Sequence, residues 1–343
     1  MQPRQPSLFD HSDDAPTQAP VPRPDAPPPD PSTIDRLIAD ERTRRLITRA
    51  MTASGRYRIV ERFDRRPFYH ADDGAPKELA LFVDVETTGL DPATDRIIQL
   101  ALVPFEFGGD GKIYGVDDCI TFLEDPGIPI PPEVTELTGI TASDVAGERI
   151  DDERVGDLLA PTTLVIAHNA AFDRRFLERR LPAFRGERWA CSIADVPWAR
   201  EGFQSARLEW LAYSMCGMFY EAHRADSDCY MAIHLLAQTL PSGRRVMQYL
   251  LESASRPTVR VWATGAPFES KDVLKRRRYS WSDGADGRPR AWWRDVSEEE
   301  LDEETAWLER EVYAPRRPAY TVSRFDALTR YSDRIGIAPV AGA

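Results

Sequence analysis

Two acids stand almost side by side near the end of an apolar run, Leu79-Ala-Leu-Phe-Val-Asp84-Val-Glu86-Thr-Thr-Gly89-Leu90. The stretch Leu79 to Val85 reads as a buried strand. Strand side chains alternate between faces, so Asp84 and Glu86 share one face. A Thr-Thr-Gly turn follows at once. Carboxylates this close repel and shift each other's pKa unless a cation lies between them. A strand end meeting a solvated turn would also account for the pair, so acids elsewhere must decide.

Two further segments supply them. Leu164-Val-Ile-Ala-His168-Asn169-Ala-Ala-Phe-Asp173 reads as a strand, a turn and the start of a helix. Asp173 alone could be a helix N-terminal acid complementing the dipole, and His168 and Asn169 could be ordinary turn residues. His223-Arg-Ala-Asp226-Ser-Asp228 precedes an apolar helix. By itself it could be a cluster of capping residues. Taken together, Asp84, Glu86, Asp173 and Asp228, with His223 five residues before the last, suit hard divalent cations. Oxygen ligands select Mg²⁺ or Mn²⁺ over zinc. Two such ions stabilise both the attacking and the leaving oxygen of a phosphoryl displacement.

The spacing resembles the DEDDh 3′–5′ exonucleases, in particular the proofreading (epsilon) subunits of bacterial replicative DNA polymerase. The motifs stand in order as Asp84-Val-Glu-Thr-Thr-Gly89, His168-Asn-x-x-Phe-Asp173 and His223-Arg-Ala-x-x-Asp228. A sister class carries tyrosine four residues before the last acid, where this chain has Arg224. The resemblance covers roughly residues 78–242. It implies an α/β fold, a ribonuclease H-like mixed sheet with flanking helices. It implies two Mg²⁺ or Mn²⁺ ions held by Asp84, Glu86, Asp173 and Asp228, with Asp84 bridging both. His223 would take the proton from the attacking water, since a pKa near the operating pH suits a general base. Thr87, Thr88, Leu90, Glu133, Thr138, His168 and Asn169 would meet the terminal nucleotide. The proofreading subunits carry a histidine in place of Thr138. The implied activity is release of nucleoside 5′-monophosphates from DNA 3′ ends, in proofreading or repair. RNA trimming stays open, because rejection of the 2′-hydroxyl depends on close packing. A non-catalytic adaptor, binding a clamp and single strands, would have no need of all five residues.

The balance of 44 basic against 56 acidic residues, net charge −12, runs against a phosphate binder built on Lys and Arg. Cations held by the carboxylates would reverse that locally. The four cysteines are scattered without a CxxC pair, which predicts neither a zinc site nor a disulfide framework and suits a reducing compartment. No apolar run approaches the ~18 residues of a membrane span, and the N-terminus lacks a signal-peptide pattern. The expectation is a cytoplasmic, nucleoid-associated protein with no membrane partner.

Residues 1–31 hold ten prolines and predict a disordered tail. Within it, Gln5-Pro-Ser-Leu8-Phe9 resembles the peptide by which replication proteins bind the bacterial sliding clamp, with Leu8 and Phe9 filling a pocket. A chance match of five residues is the other reading. The polymerase is the second partner that the resemblance implies. Residues 32–77 predict a helix to about Ala53, stopped by Gly55, and a strand from Tyr57 to Phe68. The exonuclease-like domain is expected over 78–255, opening with an antiparallel meander of Leu79–Val85, Arg96–Phe107 and Lys112–Leu123. A small α+β C-terminal module is expected over 256–330, with a loose end at 331–343. In that module Arg277, Arg278 and Arg290 lie interleaved with Trp281, Trp292 and Trp293. Either these grip single-stranded DNA, or the tryptophans form the core of a small unit and the arginines solvate it.

Overall fold

A computed structural model describes residues 30–222, 224–284 and 288–335. The chain divides into two compact units at Ile59/Val60. In the first, helix α1 (Pro31–Ala39) is followed by α2 (Glu41–Ala53). The single helix expected here is broken at Asp40. Its ψ of 112° leaves the helical region, and its carboxylate accepts from the Thr43 N–H (2.8 Å), capping α2. No residue of α2 is buried. The predicted disordered tail and the clamp-like Gln5, Leu8 and Phe9 lie outside the described residues.

The second unit is built on a six-stranded mixed sheet. Strand β1 (Glu61–Arg62) lies outside it and is all that forms of the strand expected over 57–68. Next come β2 (Lys77–Thr87), β3 (Ile97–Gly108), β4 (Ile113–Val116) and β5 (Ile120–Leu123). The run 112–123 is thus two strands rather than one. Both pair with β3, so the meander folds back twice on the same partner. Helices α3 (Pro132–Thr138), α4 (Ala142–Val145) and α5 (Asp152–Leu159) follow. Gly139 ends α3 at φ +75°, a conformation that favours glycine. Then β6 (Leu164–Ala167), α6 (Ala170–Arg180) and β7 (Trp189–Cys191) extend the sheet in the order β4-β3-β2-β6-β7. Helix α7 (Leu208–Leu211) widens into a π-helical turn, and β8 (Met218–Phe219) pairs with β1. Helices α8 (Ala225–Leu236) and α9 (Val246–Ser255) complete this part.

Strand β2 is central: antiparallel to β3 on one side and parallel to β6 on the other. Its two faces serve different cores. Ala80 and Phe82 pack with Met231, Ile233 and Leu235 of α8, whereas Leu81, Val83 and Val85 pack with Phe176 and Leu177 of α6. Helices on both faces explain why the strand reads as one apolar run instead of an alternation. Each large side chain buried here contributes roughly 1.5–3 kcal/mol.

The C-terminal part is a four-stranded antiparallel sheet, formed by β9 (Thr258–Ala263), β10 (Ser280–Trp281), β11 (Trp292–Val296) and β12 (Thr321–Phe325) in the order β10-β11-β9-β12. Helix α10 (Lys271–Arg276) lies between β9 and β10, and α11 (Leu301–Leu308) follows β11. The Ser297–Glu300 capping box forms, each backbone N–H reaching the other's side chain (3.0 and 3.2 Å). Val259, Val261, Leu274, Tyr279, Val296, Leu308 and Tyr313 make the core.

The end expected to be loose from residue 331 is instead packed as far as Ile335. Tyr331 donates to Asp195 (2.6 Å), and Ser332 is buried against Glu178. Upstream, the guanidinium of Arg174 in α6 is wholly buried and donates to the carbonyls of Ala327 (3.1 Å), Leu328 and Arg330 (2.6 Å). Arg330 in turn donates to Ser253, Arg256 and Thr258. Residues 336–343 lie outside the described residues. Among the described residues, no helix is long and apolar enough to cross a membrane.

Candidate active site

Three elements carry the acids to one place. Asp84 and Glu86 leave β2 on the side facing α8, opposite Ala101 and Gln99 in register. A shift in register between Glu86 and Thr87 ends the strand there. Asp228 lies in the first turn of α8, and Asp173 in the first turn of α6. One oxygen from each of Asp84, Glu86 and Asp228 falls within 4.8 Å of the others. Asp173 is buried behind them, its carboxylate accepting from the Val85 N–H (3.2 Å). Tyr220 was not singled out by its sequence position. It donates to Asp228 (2.8 Å) and fixes that carboxylate's orientation. A tyrosine eight residues upstream in a short, irregular segment carries no sequence signal of this contact.

The electrostatics of the cluster are unusual. Burial, and then the charges of Asp173, Asp228 and Glu86, hold Asp84 well above the ordinary carboxylate range. Glu86 is pushed up to about 8 by burial and by Asp228 and Asp173. Asp173 is raised to about 7 by burial, against the pull of its backbone hydrogen bonds. Among the described residues, no Lys or Arg is ion-paired with Asp84, Glu86 or Asp173. Carboxylates gathered in a partly dry place without a counter-charge leave each other destabilised. Oxygen donors so close together fit a hard divalent cation, which would supply the missing charge.

The turn beyond β2 is built to hold its shape. Thr87 donates to the Gly89 carbonyl (2.6 Å), and the Thr88 N–H donates to the Arg96 carbonyl (2.8 Å). A Cβ on Gly89 would stand 2.5 Å from the Asp95 carboxylate, so a side chain does not fit without displacing it. Leu90, at the tip, is 83% exposed. Glu133 is exposed on α3. Thr138 spends its hydroxyl on its own helix, donating to the Val134 carbonyl (2.8 Å) and accepting from the Ile140 N–H (3.1 Å).

His168 differs from its expected part in substrate contact. Its Nδ1 meets the Ser192 hydroxyl (2.7 Å) and its Nε2 the Ala206 carbonyl (2.9 Å), so both ring nitrogens are used in holding loops together. Burial lowers its pKa to about 4. Asn169 remains exposed beside it and makes no capping bond to α6. His223 lies outside the described residues. In the C-terminal module, Arg277 is paired with Glu303 (3.3 Å) and Glu304 (3.1 Å), and Trp293 packs beneath Arg260 (3.9 Å) on the opposite face from Trp281 and Trp292. Arg277 and Trp293 are thus engaged within the module. Arg278 is exposed, in a left-handed conformation at φ 67°.

Residues 81–236 match the family model described as Exonuclease, RNase_T. This segment belongs to the exonuclease family. The DNA polymerase III PolC-type protein of Clostridium perfringens is 36% identical over 185 residues, covering 49% of this chain and 12% of that protein. The DNA polymerase III subunit epsilon of Treponema pallidum is 28% identical over 185 residues, covering 52% of this chain and 83% of that protein. The chain thus spans about an eighth of its PolC-type relative. The zinc-bound E. coli ExoI–ssDNA complex aligns with TM-score 0.44 and 19% identity, over 64% of this chain and 63% of that one. All four acids of the cluster fall inside the exonuclease segment, whereas α1, α2 and the C-terminal sheet lie outside it.

Proposed function

We propose that this protein is a metal-dependent 3′–5′ exonuclease that releases nucleoside 5′-monophosphates from DNA 3′ ends, in proofreading or repair. The observation that carries this reading is the meeting of Asp84, Glu86 and Asp228, with Asp173 behind them, in a place where, among the described residues, no Lys or Arg is ion-paired with Asp84, Glu86 or Asp173. Asp84, Glu86 and Asp228 would hold two Mg²⁺ or Mn²⁺ ions, with Asp173 completing the set. When bound, such ions stabilise charge on the attacking and leaving oxygens of a phosphodiester.

The chain's own residues do the rest. His223 takes the proton from the attacking water, its place set by the sequence spacing of the third motif. Tyr220 keeps Asp228 oriented by donating to one of its oxygens. Thr87 and Thr88 hold the turn rigid, and Leu90 offers an apolar edge against the terminal base. Exposed Glu133 and Asn169 are the polar groups left to meet the terminal nucleotide, with Thr138 a weaker contributor.

The polymerase names of the relatives support a replication setting in the cytoplasm, near nucleoid DNA. Docking of Gln5, Leu8 and Phe9 on the sliding clamp is part of the same reading.

The test is incubation of purified protein with Mg²⁺ and 3′-mismatched duplex, matched duplex, single-stranded DNA or RNA. Mononucleotide release from the DNA substrates is expected, fastest where the 3′ end is frayed. Degradation of RNA alone would move the activity to RNA trimming. No degradation of any substrate would leave a non-catalytic adaptor. A His223→Ala variant with wild-type turnover would remove the histidine from the mechanism.

A further inference from the structure

The C-terminal sheet carries a groove that the catalytic cluster does not use. It has a volume of about 540 Å³ and lies between Phe268 and α10 on one side and the β10–β11 hairpin on the other. Phe268 is 83% exposed and Trp281 50% exposed. The hairpin register sets Trp281 opposite Trp292, ring centroids 5.4 Å apart. Trp293, the next residue, points to the other face, where it stacks on Arg260. The tryptophans are therefore divided between faces: Trp293 packs on Arg260, whereas Trp292 lies partly buried against the core of the module with Trp281 half exposed beside it.

Charge divides in the same way. Arg277 and Arg294 are neutralised by the buried carboxylate of Glu304 (3.1 and 2.7 Å). Lys271 and Lys275, one turn apart on α10, line the groove together with Arg290. Among the described residues, no acid lines it. Phe268, with the Lys271 ammonium 5.9 Å from its ring centroid, and Trp281 expose large aromatic surface to water, which costs stability and marks a binding surface.

We propose that this groove grips single-stranded DNA upstream of the 3′ end, with bases against Phe268, Trp281 and Trp292 and phosphates on Lys271, Lys275 and Arg290. Flat rings accept any base, and in a chain of net charge −12 the charged residues that line this groove, among the described residues, are Lys271, Lys275 and Arg290. The inference rests on the exonuclease reading for its biological sense, since a trimmed strand must be held behind its end. Its physical content is binding.

The experiment uses the full chain in EDTA, with fluorescence anisotropy on an oligothymidylate of roughly 20 nucleotides, longer than common single-strand site sizes. Phe268→Ala/Trp281→Ala is expected to weaken binding about tenfold or more. Lys271→Gln/Lys275→Gln is expected to flatten the salt dependence, lowering the slope of log affinity against log salt by about 1.4. Both variants should unfold near the wild-type midpoint and release mononucleotides from a trinucleotide at the wild-type rate with Mg²⁺. Unchanged affinity and slope in both variants would overturn the groove while leaving the exonuclease intact. Weakened binding in a protein that digests nothing would uphold the groove and sink the exonuclease. An acidic, aromatic peptide that binds the groove in a protein with no affinity for single strands would also overturn the proposal.

Discussion

The molecule handles buried carboxylates in two opposite ways. Glu178 on α6 is almost fully buried, yet it meets Arg174 (2.7 Å), Arg334 (2.7 Å) and the Ser332 hydroxyl. Burial alone would raise its pKa, but Arg334, Ser332 and Arg174 outweigh that and hold it below the ordinary value. Five residues earlier on the same helix, Asp173 is equally buried, has no Lys or Arg partner among the described residues and is raised to about 7. One acid closes a structural network, and the other stands in a cluster short of positive charge. The contrast teaches that burial by itself does not raise a carboxylate's pKa, whereas burial without a basic partner does.

Substitutions should pull the two acids apart. Asp84→Asn is expected to cut turnover on the order of a thousandfold or more. In EDTA at pH 8 it should raise the unfolding midpoint, because it removes a crowded charge. A lower midpoint in that variant would mean that the cluster stabilises the fold by itself. Glu178→Gln should do the reverse. It leaves the Arg174 guanidinium buried and uncompensated, so about 3 kcal/mol of stability should be lost in urea unfolding, while the folded fraction keeps its turnover.

Acidity sharpens the comparison. In EDTA, the raised values of Asp84, Glu86 and Asp173 mean that the folded state binds protons more tightly than the unfolded chain. Their contribution should fade as pH rises from about 4 through 8. Mg²⁺ at pH 8 should then raise the midpoint of the wild type and not that of Asp84→Asn/Asp228→Asn. Glu178 has the opposite sign: its folded pKa is depressed, so its contribution is present above the unfolded value and is lost as pH falls through the folded one. Thermal melts between pH 3 and 5 should show that acid limb in the wild type and a shallower one in Glu178→Gln. The smallest effect is expected from Leu90→Ala. It should shift stability by no more than ~0.5 kcal/mol and raise KM for a frayed 3′ end severalfold with kcat nearly kept.

The sequence disclosed most where chemistry is local. Asp84 and Glu86 two apart on a strand, and Asp173 and Asp228 each at a helix start, are arrangements that short-range geometry dictates. Strand Leu164–Ala167 was readable because a Thr-Thr pair and a His-Asn turn enclose it. What long-range contact decides was hidden. The arginines of the C-terminal region look alike in sequence. Arg260 and Arg330 are nevertheless buried, Arg277 is ion-paired, and Arg290 is exposed. His168 sits in a motif, but only the arrival of Ser192 and Ala206 shows that both its nitrogens are taken. The break at Asp40 arises because a capping aspartate competes with a helix that periodicity alone would continue.

The bonds from Arg174 to residues 327–330 also set an order in time. A ribosome adding ~5–20 residues per second makes α6 well before it makes the carbonyls that Arg174 needs. For roughly ten to thirty seconds the helix that bears Asp173 carries a guanidinium with three of its four hydrogen-bond partners missing. The brace behind α6 is therefore made only after β12, and a chain cut short before residue 327 would keep every acid of the cluster and lack that brace.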